Sequence, residues 1–545
     1  MHIPVPAFSP ELGHPDCTKM EQPAVEEDVP MFEEDLDEDE IPAPMPIDHP
    51  LVPQPVAPLG HPSASSSSAA LEYTGDGTTW AQLFSRLESM ERTMEQGFSH
   101  LSGRMSAMET QNSYMESVEK KENFLVIKSA PVLVPPASKT NEGLFFLSNI
   151  DQYQCFILST VYCYKPTTRS SDNVFEVIKQ ALAEVLVHYY PLAGKLALDS
   201  DGRFVIECTG DGVPFIEAIT THELEALGDL TKLDFGILSQ LVYTFPPTKN
   251  ILEIPLVATQ VTRFKCGGFA LGVAINHSMA DGLCAMEFIS SWAEIARGLP
   301  LTILPFLDRT VLKSRKTPKI EFPHHEFYQI KDMPKTIIAS QDEDFLSKSF
   351  CFNMERLEQL KRSAMEDGLL EKCSSFAVVA AYTWSIMTES LQMETDEKTK
   401  LVFPIDLRSK FNPPLPKGYF GNGIFHASCL CSAGELTSKP LSFAVKLVQD
   451  SIKLVTEDYV RSALDYYEVN RTSPMATYTL FLSSWSKLDF LTADFGWGNP
   501  NQITLGNPGP NLCFILPQEE GKKDMNILVV TKSSLMTAFE ETIQL

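Results

Sequence analysis

A histidine followed four residues later by an aspartate and a glycine stands at His277-Ser278-Met279-Ala280-Asp281-Gly282. A neutral imidazole titrates near working pH and can take a proton from a hydroxyl, which makes His277 a candidate general base. The residues before it, FALGVAIN, are nearly all apolar or small, and those after it carry a helical stripe. His277 is therefore placed where a buried strand gives out into a loop, a common location for reactive groups. The bland reading is a histidine satisfied by its neighbours. Asp281 also has two readings: the cap of the following helix, or a loop anchor held by a basic partner. A metal site on His277 and Asp281 lacks a third ligand at suitable spacing. Nearby Cys284 offers a covalent route.

Two further segments carry chemistry-bearing residues. Asp494-Phe495-Gly496-Trp497-Gly498, an aromatic loop between glycines, follows His277 by 217 residues. Ser374-Ser375-Phe376 opens a predicted helix whose amino end either caps itself or receives an anionic group.

The elements that must position these residues can be read from periodicity. Residues 256–276 form a predicted β-hairpin turning at Lys265-Cys266-Gly267-Gly268, with FALGVAIN as its buried second arm. The helix after Asp281 places Ala285, Phe288, Ile289, Trp292, Ile295 and Ala296 on one face and stops at Gly298. A similar stripe over Val174 to Leu186 has Asp172 or Asn173 available as its cap. Leu125-Val126-Ile127 and Val132-Leu133-Val134 read as short strands. Residues 306–345 bear prolines and lysines and are weakly periodic, which predicts a crossing segment between two lobes, 122–305 and 346–545.

A chain of 545 residues has room for two or three domains. No apolar run approaches the ~18 residues that span a bilayer, and no basic-then-apolar leader opens the sequence. The eleven cysteines form no CxxC pair, which points to a reduced, cytoplasmic chain. A net charge of −27 argues against a general affinity for nucleic acid or acidic lipid headgroups. Residues 1–77 are rich in proline, acid and serine, which predicts a disordered tail, either solvated or an acidic interaction segment. In residues 78–121, Trp80, Leu87, Met94, Leu101, Met108 and Met115 recur every seven residues. Gly97, Arg104 and Gln111 interrupt the second apolar position. A weak heptad helix results, lying on the body or supporting weak self-association of an otherwise monomeric chain.

In this order and at this distance, the HSMADG and DFGWG segments resemble the paired signatures of the plant BAHD acyltransferases. His188-Tyr189-Tyr190-Pro191-Leu192-Ala193-Gly194-Lys195-Leu196, Asp406-Leu407-Arg408, and the run from Pro413 to Asn422 agree with that family. The resemblance covers about residues 122–545. Met115 falls near where such an enzyme would begin, so the front segment is expected to be a fusion or a misassigned gene start.

The resemblance implies an α/β fold of two mixed-sheet lobes, like chloramphenicol acetyltransferase, with a channel between them. It implies acyl-CoA as co-substrate, an alcohol or amine acceptor, and neither a metal nor a held cofactor. His277 matches the histidine that meets both substrates, and direct transfer leaves Cys284 without a role. By the family pattern Asp281 points away from substrate and pairs with Arg408, and Asp494 is architectural. Trp497 either supports the oxyanion region or is purely structural, and Ser374 and Ser375 are candidates for the CoA side.

The segments VTRFKCGGFALG, PFLDR, PPLPKGYFGNG and EDYVRSALDYYE (Glu457 to Glu468) resemble members that join feruloyl-CoA to long ω-hydroxy acids or fatty alcohols, precursors of suberin or cutin. Members acting on shikimate carry an arginine just before the Pro-x-Leu-Pro segment, where this chain has Asn412. A small acidic acceptor thus loses its handle, and a long apolar alcohol loses nothing. Lys410 stands where many relatives have a second arginine, and WSIMTES, from Trp384, lacks the basic residue usual after the tryptophan; both bear on CoA affinity and selectivity. Three rival readings are a transferase with another acceptor, such as a shorter alcohol or an amine, an idle acyltransferase-like protein serving assembly, and a peptide-synthetase condensation domain. The last usually shows a second histidine where Asn276 stands.

Overall fold

The computed structural model describes residues 124–230, 235–245, 250–330, 345–486, 488–506, 511–516 and 524–543. The predicted tail 1–77, the heptad segment 78–121 and part of the crossing segment lie outside the described residues.

The predicted hairpin is present. β8 (Val257–Arg263) and β9 (Phe269–Asn276) pair antiparallel, with Val257 opposite Ile275 and Arg263 opposite Phe269. Gly267 turns the chain at a φ of +87°, which favours a residue without Cβ. Every residue of β9 is buried, as a central strand covered on both faces requires.

β9 lies inside a seven-stranded sheet. The order is β1 (Ile127–Lys128), β7 (Val213–Ile219), β8, β9, β4 (Ile157–Tyr164) and β14 (Gln502–Leu505), with β2 (Val132–Val134) also on β7. Only β7 and β8 run parallel. A separate three-stranded sheet joins β3 (Gly143–Phe146), β6 (Phe204–Cys208) and β5 (Lys195–Leu198). The second lobe holds a six-stranded mixed sheet in the order β10 (Phe345–Phe352), β16 (Met525–Lys532), β15 (Leu512–Ile515), β13 (Leu480–Ser484), β11 (Lys398–Asp406), β12 (Ile424–Ser432). The two-lobed mixed α/β architecture implied by the sequence is thus the one observed.

One strand crosses the boundary drawn from sequence. β14, from the far part of the chain, pairs antiparallel with β4, Gln502 opposite Cys163 and Leu505 opposite Thr160. It covers an edge of β4 that would otherwise expose unpaired amides. Phe495, Trp497 and Leu505 accordingly join the first lobe's core.

Helix α1 (Val174–His188) packs on α2 (Gly282–Ala296), where Trp292 Nε1 donates to the Ile178 carbonyl at 2.9 Å. Neither predicted cap serves α1: Asn173 makes no side-chain cap bond, and Asp172 accepts from Ser170 and Arg263 instead. The second lobe carries α3 (Met354–Met365), α4 (Ser375–Ser390), α5 (Leu441–Leu454), α6 (Glu457–Asn470) and α7 (Ser533–Ile543). The described part of the crossing segment is strapped along α6. Arg315 Nε donates to Asp465 at 2.6 Å, the Lys319 amide to the same carboxylate at 2.7 Å, and the Glu321 amide to Ser462 at 2.8 Å. No described helix is long and apolar enough to cross a membrane.

Candidate active site

His277 is the first residue beyond β9. Its amide donates to the Phe156 carbonyl at 2.8 Å, and its ring stacks on Phe156 with centroids 4.9 Å apart. From the second lobe, Asn422 Nδ2 donates to the His277 carbonyl at 2.8 Å. The residue is half-buried, while Nδ1 is wholly buried and without a hydrogen-bond partner. Nε2 is then the nitrogen left for the open side. Burial pushes the imidazole pKa below its ordinary value, and the Asp281 charge pulls part of the way back. A neutral imidazole with a free lone pair is what a general base needs.

Asp281 fulfils both of its readings. Its Oδ1 accepts from the Cys284 amide at 3.0 Å and so caps α2. Arg408, just past β11, meets its two oxygens at 3.0 and 2.9 Å, and the Gly423 amide donates to Oδ2 at 2.9 Å. The carboxylate is therefore held between the helix end, Arg408 and Gly423 at the lobe junction.

A second buried network holds the same turn, and reading the sequence did not find it. Arg309 is fully buried and donates to the carbonyls of Phe420 (2.9 Å), Ser278 (2.9 Å) and Met279 (2.7 Å), and to Asp151 Oδ2 at 3.0 Å. Asp151 Oδ1 accepts from Asn422 through its amide at 3.1 Å and its side chain at 2.7 Å. Close approach demands glycine here. A Cβ on Gly421 would come within 2.9 Å of Arg309 Nε, and one on Gly423 within 2.9 Å of Arg408 Cζ. The segments PFLDR and GYFGNG were noted as resemblances, but their partner Asp151 is 158 residues from Arg309 and leaves no local pattern.

His426, on β12, is a further histidine beside the site. Gln154 Nε2 lies 3.2 and 3.3 Å from its two ring nitrogens, and burial, with repulsion from His277 and Lys400, pushes its pKa down to about 3.

A family model described as the Transferase family matches residues 125–545. Omega-hydroxypalmitate O-feruloyl transferase from Arabidopsis thaliana is 47% identical over 422 residues, 76% of this chain and 92% of that one. The chain belongs to the BAHD acyltransferase family. Fatty alcohol:caffeoyl-CoA acyltransferase from the same plant is 45% identical, covering 76% of this chain and 97% of the relative. Shikimate O-hydroxycinnamoyltransferase from Nicotiana tabacum is 36% identical, covering 75% and 97%. Among solved structures, vinorine synthase shares the fold at a TM-score of 0.59 and 24% identity, over 76% of this chain and 96% of that one. F. graminearum TRI101 complexed with ethyl coenzyme A does so at 0.59 and 15% identity, over 74% and 97%. This BAHD chain is thus an acyltransferase, and members of its family take CoA thioesters as co-substrates.

The DFGWG loop of this BAHD chain lies elsewhere. Trp497 packs edge-on against Phe269, the first residue of β9, at 5.6 Å, whereas His277 follows the last. The strand between them spans roughly 23 Å. Trp497 Nε1 donates to the Ser170 carbonyl at 3.0 Å, and Arg169 stacks on its ring at 4.0 Å. Its one N–H is committed there, which favours the structural of the two roles expected for it. Asp494 closes the loop by accepting from the amides of Gly496 (2.7 Å) and Gly498 (2.8 Å).

The other BAHD candidates are placed as follows. Cys284 is fully buried, its Sγ 2.9 Å from the Tyr419 carbonyl, and burial pushes its thiol pKa far up, which suits no nucleophile. Ser374 caps α4 by accepting from the Ala377 amide at 3.2 Å, and Ser375 opens the helix. Asn412 is exposed, and its amide donates to Glu457 at the start of α6 at 2.9 Å. One cluster of metal-ligand types occurs among the described residues, Glu223, Glu225 and Cys266, at the hairpin turn far from His277.

Proposed function

We propose that this enzyme transfers a hydroxycinnamoyl group, feruloyl foremost, from coenzyme A to the hydroxyl of a long-chain ω-hydroxy fatty acid or fatty alcohol. The observation that carries the mechanism is the half-open, neutral imidazole of His277, fixed by Phe156 from one lobe and Asn422 from the other. Nε2 takes the acceptor's proton as its oxygen attacks the thioester carbonyl. The carbonyl electron pair moves onto oxygen and returns as the C–S bond breaks, and the imidazolium gives its proton to the departing thiolate. Asp281 and Arg408 hold the turn, and the amino end of α4 at Ser374 and Ser375 serves the CoA side.

The acceptor assignment draws on similarity and on one position. The two relatives named for long aliphatic acceptors are 47% and 45% identical, against 36% for the one named for shikimate. Asn412 supplies no charge for an acidic ring acceptor. The enzyme works as a cytoplasmic monomer.

Thiol release from feruloyl-CoA tests the proposal, with 16-hydroxypalmitate, 1-hexadecanol and shikimate offered separately. Turnover with either long alcohol and not with shikimate is the expected result. Turnover with shikimate alone would overturn the acceptor assignment and leave the acyltransferase standing.

A further inference from the structure

A cavity of about 260 Å³ lies between β12, α5, α6 and the crossing segment. Phe425, Ala427, Cys429 and Leu430 of β12 line one side, and Leu447 and Leu454 of α5 line another. Most polar atoms on its walls are committed, although the buried Ser428 hydroxyl has no partner. Tyr459 donates to Glu326 Oε2 at 2.6 Å, the other Glu326 oxygen meets His324 at 2.7 Å, and Ser451 donates to the Ser428 carbonyl at 3.0 Å. Water in such a space finds few partners, whereas an aliphatic chain fills it favourably.

Its position ties it to the reacting centre. Asn422, which holds the His277 carbonyl, stands two residues before β12 begins. β12 is the last strand of its sheet, with β11 as its strand neighbour. Alternation puts His426, beside Gln154, on one face of β12 with Ser428 and Leu430, and Phe425, Ala427 and Cys429 on the other. The cavity is lined from both faces and so lies along the strand's edge. An acceptor whose hydroxyl is at His277 therefore has to follow the edge of β12, against which His325–Phe327 also packs, to reach the cavity. Phe425, near the start of β12, already lines the cavity and Leu430 lies roughly 17 Å further along the strand, so a short tail occupies only the near end and a long one fills it.

Charge sets a second condition. Glu326 is a buried carboxylate on the wall. Buried Lys400 is committed to the carbonyls of Glu326, Tyr328 and Pro474 at 2.7, 3.0 and 3.0 Å. The Lys400 charge is balanced by that of Glu326, so a second carboxylate entering there would lose its water without an unpaired cation to meet it.

We infer that this cavity receives the aliphatic tail of the acceptor and selects a tail with an uncharged end, an alkan-1-ol or an esterified ω-hydroxy acid, over a free carboxylate. The inference rests on the long-chain acceptor proposed above.

The test uses the full chain with feruloyl-CoA and 1-alkanols from butanol to octadecanol. kcat/KM should rise about four-fold per added methylene while the tail fills the cavity, the equivalent of about 0.8 kcal/mol, and then level off. Leu447→Trp, which fills the space, should cut the hexadecanol-to-butanol ratio at least ten-fold. Ala427→Leu should move it the same way if the first variant fails to fold, as judged by its melting curve. Folded variants with an unchanged ratio would overturn the cavity's role while leaving a long-chain enzyme in place. A wild-type enzyme indifferent to chain length would overturn the acceptor class itself. For the charge condition, 1-hexadecanol and methyl 16-hydroxypalmitate should exceed free 16-hydroxypalmitate at least ten-fold. Equal or better turnover of the free acid, through the exposed His325 at the rim or otherwise, would overturn it.

Discussion

Arg408 and Asp281 belong to different lobes, yet one guanidinium nitrogen lies 3.0 and 2.9 Å from the two carboxylate oxygens. The same carboxylate caps α2 and takes the Gly423 amide. A single buried group thus fixes the start of a helix, the turn that carries His277 and the junction of the lobes. Its side chain is 1% exposed and that of Arg408 19%, so the loss of either leaves the other charge mostly buried.

Asp281→Ala is therefore expected to cost about 3 kcal/mol, the lower range for breaking a buried pair. The melting temperature should fall, and activity should fall with it because the His277 turn loosens. Asp281→Asn keeps the cap acceptor and should lose less. Differential scanning calorimetry beside an activity assay decides the matter. Full thermal stability with activity gone would make Asp281 a participant in proton transfer.

His277→Ala removes a half-open ring whose buried Nδ1 has no hydrogen-bond partner, so the fold should keep its melting temperature. The rate of transfer should fall by about 10²- to 10⁴-fold, the usual worth of a general base. Because burial lowers the imidazole pKa and the neutral form is the active one, activity should hold as the pH drops to 6.5. The acid limb of kcat/KM belongs below the ordinary histidine value of about 6.5. A limb above that value would show that another group controls the proton.

Much of the local machinery around His277 was legible because it is written in consecutive residues. The hairpin, the buried run FALGVAIN and the apolar face of α2 follow from periods of two and 3.6. Asp281 as a cap could be read from its place before Gly282. Other parts are set by distant residues with no periodic signature. Arg309 and Asp151 meet across 158 residues, and β14 finds β4 from the other end of the chain. The DFGWG loop showed the opposite failure. Its residues are conspicuous, but nothing in their order tells which end of β9 they support.

Trp497→Phe tests that last placement. The substitution removes the bond to the Ser170 carbonyl and part of the stack under Arg169, and keeps an aromatic ring against Phe269. A cost of about 1 kcal/mol is expected, with the melting temperature down by a few degrees. kcat and KM should stay within about two-fold, since the reacting centre is roughly 23 Å of strand away. A ten-fold loss of kcat at unchanged stability would return Trp497 to the active site.

His426 makes a prediction about acid. Its folded pKa is about 3, below the roughly 6.5 of an unfolded histidine, so the native state excludes a proton that the unfolded chain accepts. Stability from this residue is complete above pH 6.5 and declines as the pH falls toward 3. One proton difference amounts to about 1.4 kcal/mol per pH unit, or about 2 kcal/mol between pH 7 and pH 5. His426→Gln does not titrate, and its amide can still meet Gln154, so the variant should lose about 2 kcal/mol less than the wild type over that interval. Urea midpoints of both proteins at pH 7 and pH 5 measure the difference. Parallel losses would mean that His426 accepts its proton in the folded protein, and that its surroundings beside Gln154 are open to water.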